Sequence, residues 1–263
     1  MDVVALLTLG TSVEAEAAVL APDLGITVYE TALLLRVASP IPLLRTDDRA
    51  RALDLVAKLR ARGHDAIACD GATVAASGSM TRVRSFRLEA GALVNADAEG
   101  KTSRLPWDEI MALVRAVHRT RSERIEKSVQ TKVSFGRAAL SGGLGAIKTT
   151  TKETKHTTDD RENVLYVFRR FGAPWLIEQS SARYEGLGSD LRPSQTENFT
   201  TLVRRLRESA PHAPFDERLM IPRGSSETMR ASATGHQQST AGAVDLLAHL
   251  VAMAITRSLS PFR

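Results

Sequence analysis

The amino-acid sequence predicts an α+β protein built from two small modules, and three observations support this prediction. In residues 1–76, short apolar runs typical of strands alternate with segments whose apolar residues recur at helical spacing. Between residues 80 and 107, strand-like runs are separated by glycine and other turn residues. A segment after Pro193 combines a helix-capping pair with an apolar stripe.

The N-terminal module, residues 1–76, is expected to contain six elements. Strands are predicted at VVALLTL, TVYETALLLRV, PIPLLRT and HDAIACD, and helices at SVEAEAAVLA and DDRARALDLVAKLRARG. The resulting order, β-α-β-β-α-β, is that of the split βαβ or ferredoxin-like arrangement. In that arrangement two helices cover one face of a four-stranded antiparallel sheet, which is the fold we expect here.

Both predicted helices of this module carry terminal signals. Thr11 and Glu14 have the spacing of a capping box for the first helix. In the second helix, Asp47 and Asp48 occupy the positive end of the helix dipole. Its apolar stripe, expected to face the sheet, consists of Ala52, Leu55, Val56 and Leu59.

Residues 80–215 are expected to form a β module after the small-residue junction GATVAASGSM. RVRSFRLEAG, ALVNADAEGK and KTSRLPW predict a meander, and NVLYVFRR and WLIEQSSARY predict a hairpin around the turn FGAP. Residues 108–118 fit either a helix or a further strand. The module is expected to end in a helix capped by Ser194 and Glu197, with a stripe of Phe199, Leu202, Val203 and Leu206.

The segments FRLEAGALVNADAEGKTSRLPWDEI, VLYVF and PWLIE, followed by the amphipathic helix, resemble bacterial pleckstrin-homology-like (PH-like) domains. In that family a bent sheet is closed by a C-terminal helix. The resemblance covers about residues 80–210 and implies a sheet that serves binding rather than catalysis. The chain departs from the family pattern by its N-terminal module and by a long basic insertion at about residues 119–160.

The remaining C-terminal part is expected to be a linker, residues 216–242, followed by an amphipathic helix at 243–263. This helix must dock on its own domain, on a second subunit or on another protein, because it would otherwise expose a row of apolar residues. The candidate contact residues are Leu246, Leu247, Leu250 and Val251. Self-association or an unidentified protein partner is therefore expected to involve this helix.

Most of the positive charge is concentrated in residues 115–156. The whole chain has a formal net charge of +5, whereas this segment has ten Lys and Arg against three Glu. Such a cluster predicts contact with nucleic acid or another polyanion, although a solvated basic surface or a flexible insertion also fits. The candidate residues are Arg115, Arg119, Arg121, Arg124, Lys127, Lys132, Arg137, Lys148, Lys152 and Lys155.

The glycine-rich stretch GGLGAIKTT does not fit a phosphate-binding loop. A Walker A motif needs its lysine directly after the last glycine, because the loop amides and the lysine converge on the same phosphates. Here Ala146 and Ile147 separate Gly145 from Lys148. No nucleotide or other cofactor is expected from this stretch.

Other site chemistries have little support in the sequence. Cys69 is the single cysteine, so no intramolecular disulfide and no cysteine-ligated metal is expected, and a reducing, cytoplasmic location is the simplest interpretation. The six histidines lack metal-ligand spacing, and no G-x-S-x-G elbow is present. Neither the N-terminal apolar run, which is followed by Glu14 and Glu16, nor residues 243–255 predict a signal peptide or a membrane span.

The sequence therefore leaves three hypotheses about function. The first is a non-catalytic binding, scaffold or regulatory protein acting through protein–protein contacts. The second is a nucleic-acid or anionic-surface binder that uses residues 115–156. The third is an enzyme whose site is assembled from distant residues, which requires polar side chains with shifted pKa values to converge in a pocket.

Overall fold

The computed structural model describes residues 1–96, 100–133, 147–221, 228–232 and 235–259, with the backbone alone for 123–133, 147–156, 228–232, 235–237 and 258–259. The architecture is α+β, with several sheets and a C-terminal helix. The chain divides into two compact units. The first comprises Met1–His118, Glu162–Ser226 and Ala241–Arg263, and the second comprises Arg119–Arg161 and Glu227–Thr240.

The N-terminal part of the first unit is a three-stranded antiparallel sheet with three helices, in the order β-α-α-β-α-β. Strand β1 is central and pairs with β2 on one side and β3 on the other. The elements are β1 (Asp2–Thr8), α1 (Val13–Leu24), α2 (Val28–Leu35), β2 (Ile41–Thr46), α3 (Arg49–Ala61) and β3 (Asp65–Asp70).

The expected strand at residues 27–37 is wrong, because this segment forms α2. The Thr27 hydroxyl accepts a hydrogen bond from the Glu30 amide (3.2 Å), and Glu30 accepts one from the Thr27 amide (2.9 Å). This reciprocal cap satisfies two amides that a helix start leaves unpaired. The helix buries Thr31 and Leu35, one turn apart, and the expected four-stranded sheet consequently has three strands.

The other two helices of this sheet follow the sequence expectations in most respects. The cap of α1 is Ser12, which accepts from the Ala15 amide (3.2 Å), and not Thr11. Helix α3 is capped by Asp48, and its expected stripe of Ala52, Leu55, Val56 and Leu59 is buried. These residues form one core with the β1 residues Val4 and Leu6, while Val3, Ala5 and Leu7 belong to a second core on the other face of β1.

The expected meander is confirmed as the antiparallel sheet β5-β6-β7. Residues 108–118, whose sequence fits either a helix or a strand, are mainly a strand. A short 3₁₀ turn at Trp107–Glu109 leads directly into it. Pairing of Trp175 with Val167 confirms the expected hairpin. The strands are β4 (Thr81–Arg82), β5 (Ser85–Glu89), β6 (Ala92–Ala96), β7 (Thr102–Pro106), β8 (Ile110–Val133), β9 (Ile147–Arg169) and β10 (Trp175–Glu178).

The capped amphipathic helix α4 (Gln195–Ser209) is confirmed. The Ser194 hydroxyl accepts from the Glu197 amide (3.2 Å), as the capping-box pattern predicts. The helix buries its apolar stripe of Phe199, Leu202, Val203 and Leu206 in one core with residues of the β5-β6-β7 sheet and of β8, β9 and β10.

The segment expected to be a linker, residues 216–242, contains regular structure. It includes most of β11 (Phe215–Leu219), which pairs with β8 in parallel, and the antiparallel pair β12 (Thr228–Ser232) and β13 (Gly235–Ser239). It leads to α5 (Ala241–Leu259), the expected terminal helix. The polar composition that predicts a linker therefore occurs here in paired strands.

No single helix among the described residues is long and apolar enough to cross a membrane. Only α1 and α2 taken together meet the length and composition requirement, and they are bent by 116° relative to each other.

Candidate functional site: a basic ribbon and a buried polar cluster

The expected basic insertion is built from continuations of two strands. We call residues 119–133 of β8 and 147–161 of β9 the basic ribbon; both segments lie in the second unit, and β8 and β9 are neighbours in the sheet. Threonine and other β-branched residues are frequent in both segments, which favours extended backbone. Strand β13 pairs with β8 from Thr120 to Arg124, and β12 pairs with β13.

The second unit carries the entire net charge of the chain. Arg119–Arg161 and Glu227–Thr240 contain eleven Lys and Arg and six Asp and Glu, a net charge of +5. The rest of the chain contains 24 Lys and Arg and 24 Asp and Glu, because the totals are 35 and 30. The first unit is therefore neutral in formal charge, and long-range attraction of a polyanion would be directed to the second.

Arg115 and Arg119 contact other side chains in the described part of the chain. The Arg115 guanidinium lies over the Phe199 ring at 5.6 Å from its centre, which is a cation–π contact. Arg119 donates two hydrogen bonds to the Asp159 carboxylate, at 2.7 and 2.5 Å. These hydrogen bonds lower the pKa of Asp159, with a further contribution from the positive charges of Arg119, Arg161 and Arg121. Arg115 and Arg119 are consequently poor candidates for an external anion.

The other candidate cations lie elsewhere in the same segment. Arg121 is exposed in β8. The backbone of β8 also places Arg124, Lys127 and Lys132 in the basic ribbon, and that of β9 places Lys148, Lys152 and Lys155 there. Arg137 lies outside the described residues. In addition to Arg121, the structure thus places six of the ten candidates on the two adjacent strands β8 and β9.

The C-terminal helix uses its apolar residues within the chain. Leu246, Leu247, Leu250 and Val251 are all buried in one core with residues of β1, β3, β8, β9 and β10. Of the three alternatives for this helix, docking on its own domain is the one that the structure contains. Because full burial of one such side chain contributes about 1.5–3 kcal/mol, these four residues make α5 an integral part of the first unit.

A cluster of buried polar side chains lies beneath α5, and sequence reasoning did not assemble it. Its centre is Asp245, whose carboxylate accepts hydrogen bonds from the Ser77 amide (2.8 Å), the Ser77 hydroxyl (2.5 Å) and the Tyr166 hydroxyl (2.7 Å). All three residues are buried. Three donors compensate the desolvation of this carboxylate and connect α5 to β9 and to the 71–80 junction.

The second part of the cluster is His118, whose Nε2 is 2.7 Å from the Tyr166 hydroxyl. Since the tyrosine proton is donated to Asp245, the hydroxyl must accept from His118, and Nε2 therefore carries a proton. Burial lowers the pKa of His118, although the charge of Asp245 opposes this shift. Burial, followed by the charge of Asp245, raises the pKa of Tyr166 well above its ordinary range. Both groups are uncharged at neutral pH.

His249, one turn after Asp245 on α5, completes the cluster. Its Nδ1 donates to the Asp245 carbonyl oxygen (2.8 Å), and its Nε2 accepts from the Ala75 amide (3.2 Å). Burial lowers the pKa of His249, which keeps Nε2 available as an acceptor. The neutral ring therefore ties the junction to α5.

This arrangement is suited to holding α5 in place and not to nucleophilic catalysis. The Ser77 hydroxyl donates to a carboxylate and has no histidine base, and the three central residues are covered. The grooves found among the described residues lie elsewhere. One of about 560 Å³ is lined by Arg204, Arg207, Glu208, Pro211, Ala213, Pro214 and Phe215, and one of about 360 Å³ by Ser85, Phe86, Arg87, Arg183, Glu185 and Gly186.

A reactive thiol and a metal site are two other chemistries that these residue types could support. Cys69 is buried, and its pKa is raised by that burial and by the charges of Asp2 and Asp70, so the thiol is poorly nucleophilic. Within the described ranges, no group of three or more His, Cys, Asp and Glu side chains could hold a metal ion.

One signal in the sequence pointed to the polar cluster. Asp245 and His249 lie one turn apart in the otherwise apolar segment 243–255, and a buried charge at such a position requires partners. Ser77 and Tyr166 carry no comparable local signal, because their partners are 168 and 79 residues away.

No family model, no curated protein and no solved structure matches the chain.

Proposed function

We propose that the chain is a non-catalytic binding protein that holds a polyanion, specifically nucleic acid, on its basic ribbon. The observation that carries this proposal is the concentration of the whole net charge of +5 in the second unit. Neutralisation of phosphates by Lys and Arg releases condensed counterions, which favours binding without any shaped pocket.

The two adjacent strands support this proposal. They present Lys127, Lys132, Lys148, Lys152 and Lys155 on regular backbone instead of a structureless insertion. Residues on a strand are spaced by about 3.3 Å, so a row of cations can follow a line of phosphates. The closed polar cluster and the neutral first unit also favour binding over catalysis.

The experiment is a titration of labelled nucleic acid with the full chain, followed by fluorescence anisotropy at several salt concentrations. We expect affinity to fall steeply between about 50 and 200 mM salt. The triple variant Lys148→Glu, Lys152→Glu and Lys155→Glu should abolish binding. Salt-independent binding, or full binding by this variant, would contradict the proposal.

A matched control reverses three exposed cations of the first unit. Arg87→Glu, Lys101→Glu and Arg192→Glu change the net charge by the same amount and lie outside the basic ribbon. If binding depends on the ribbon, this control keeps most of its affinity. Equal losses in the two triple variants would indicate a response to total charge alone.

A scaffold or regulatory role through protein–protein contacts is the second candidate function, and α2 favours it. Tyr29 is 72% exposed and Leu33, one turn later, is 46% exposed, with Val28 and Val37 nearby also exposed. Exposed apolar residues on one helix are typical of a protein contact surface. Light scattering of the double variant Tyr29→Asp, Leu33→Asp tests this role. If the variant still self-associates, α2 is not the contact surface.

We also propose the finer fold assignments. The sheet β5-β6-β7, the strands β8-β9-β10 and the closing helix α4 support a PH-like module, and the order β2-β1-β3 supports a ferredoxin-like module whose fourth strand is replaced by α2. A cytoplasmic location is supported by Cys69, which is a buried free thiol.

A further inference from the structure

The number of strands beside β8 changes along its length, and this number limits which nucleic-acid groove the basic ribbon can enter. At residues 120–124, β8 has β9 on one side and β13 and β12 on the other, which makes four strands. Adjacent strands are separated by about 4.8 Å, so the outer two of four are about 14 Å apart. The described pairing of β8 with β13 ends at Arg124, which pairs with Gly235, the first residue of β13, whereas β8 continues to Val133 with β9 as its other neighbour in the sheet.

The major groove of B-form DNA discriminates between these two widths. It is about 12 Å wide and about 8.5 Å deep, and it admits a two-stranded ribbon. Four strands with about 14 Å between their outer backbones do not fit it. Residues 125–133 of β8 and the adjacent part of β9 can enter the groove, whereas β12 and β13 would stop at its edge.

The length of the two-stranded part also fits a duplex. Nine residues of β8, from 125 to 133, extend about 30 Å at the usual rise per residue. One turn of B-DNA is about 34 Å long, so the strand spans almost a full turn of groove. A ligand much shorter than one turn would leave part of the strand without contact.

The charges of this part suit phosphates on both sides of a groove. It contains Lys127 and Lys132 with Glu126 on β8, and Lys148, Lys152 and Lys155 with Glu153 on residues 147–156 of β9. Five cations on two adjacent strands exceed two carboxylates, and both strands contribute. A duplex groove offers phosphates on either side, which a single strand does not.

We propose that the polyanion is a B-form DNA duplex and that residues 125–133 and 147–156 insert into its major groove. This inference rests on the proposed function. The segment from Arg115 to His156 has one aromatic residue, Phe135, so it lacks the stacking platform that single-stranded nucleic acid uses. Double-stranded RNA is excluded by its deep, narrow major groove, which side chains do not read.

The test measures binding of the full chain to four polyanions at the same fixed salt concentration: a DNA duplex of two helical turns, the RNA duplex of the same sequence, single-stranded DNA and heparin. We expect the DNA duplex to bind at least about tenfold more tightly than the RNA duplex, because only its groove admits the ribbon. The salt dependence should have a slope of up to about −4.5 if all five lysines meet phosphates.

Single substitutions and chemical probing give independent readouts. Lys148→Gln should reduce the magnitude of the salt slope by about 0.9 without changing the preference for DNA over RNA. Guanine N7 lies in the major groove, so bound protein should protect it from dimethyl sulfate.

The outcomes separate this inference from the proposed function. Equal affinity for the DNA duplex, RNA duplex and heparin, with no protection of guanine N7, would overturn groove insertion and leave polyanion binding standing. No binding to any of the four, or binding unaffected by the Lys148, Lys152 and Lys155 reversal, would overturn both.

Discussion

The Tyr166→Phe variant tests whether the polar cluster under α5 stabilises the first unit as its geometry indicates. The substitution removes one oxygen and keeps the buried ring, which packs against Phe168 with 6.1 Å between ring centres. That oxygen donates to Asp245 (2.7 Å) and accepts from His118 (2.7 Å). The variant therefore removes two buried hydrogen bonds with little change in packing.

The expected cost follows from what each partner retains. Asp245 keeps both donors from Ser77, so it loses one hydrogen bond to a charged acceptor, worth about 1.5–3 kcal/mol. His118 keeps a buried Nε2–H without its acceptor, at a cost of about 1–3 kcal/mol. Because the two costs overlap, we expect the free energy of unfolding to fall by about 2–4 kcal/mol.

The assay is equilibrium urea unfolding at pH 7.5, monitored by circular dichroism. Tyr184→Phe is the matched control, since its hydroxyl donates to a neutral acceptor, the Gln179 carbonyl oxygen (2.8 Å). Loss of that hydrogen bond should cost about 0.5–1.5 kcal/mol. If Tyr166→Phe lowers the free energy of unfolding no more than Tyr184→Phe does, the polar cluster does not stabilise the packing of α5.

A double-mutant cycle isolates the buried donor. His118→Leu removes the group that Tyr166→Phe leaves without an acceptor, so the double variant should be more stable than the sum of the two single effects by about 1 kcal/mol or more. Strict additivity would show that His118 and Tyr166 do not act as a pair.

Three further predictions concern the first unit. Burial holds the pKa of His118 and of His249 below the unfolded value of 6.5, so unfolding takes up protons at acidic pH. The free energy of unfolding, measured with urea, should therefore fall as the pH decreases below about 6.5. This decrease should be smaller in the His249→Gln variant. Leu250→Ala should lower the free energy of unfolding by about 2–5 kcal/mol, because Leu250 is buried. Met253, also on α5, is 38% exposed, so Met253→Ala should lower it little. The Cys69 thiol should react with a disulfide reagent only after unfolding; rapid reaction of the native protein would contradict its burial.

The sequence predicts elements well where one local signal dominates. The capping box at Ser194 and the stripe of α4 agree with each other, and both are found. Residues 27–37 contain two signals, β-branched and apolar residues that suit a strand and a Thr27–Glu30 pair that suits a helix start. The cap prevails because its two hydrogen bonds form within the segment, whereas a strand here would need a neighbour.

Of the candidate functional site, the sequence predicted only the clustering of positive charge. Clustering of Lys and Arg is visible in the sequence, but the hydrogen bonds from Arg119 to Asp159 join residues 40 positions apart. The Asp245 cluster likewise depends on tertiary contacts between α5, β9 and the 71–80 junction. Buried polar groups select one another by geometry after folding, so composition and spacing carry little information about them.

The proposed binding surface and the stability of the first unit rest on different residues, and this makes the proposals separable by experiment. The three buried cores, one of which contains Tyr166 and Leu250, are formed by described residues of the first unit, whereas the lysines of the basic ribbon belong to the second unit. Charge reversal at Lys148 should therefore weaken DNA binding while leaving urea unfolding of the first unit unchanged. The converse holds for Leu250→Ala, which should lower stability and retain the salt-dependent binding under folding conditions. A variant set in which binding and stability always change together would mean that the ribbon is required for folding and is not a dedicated ligand surface.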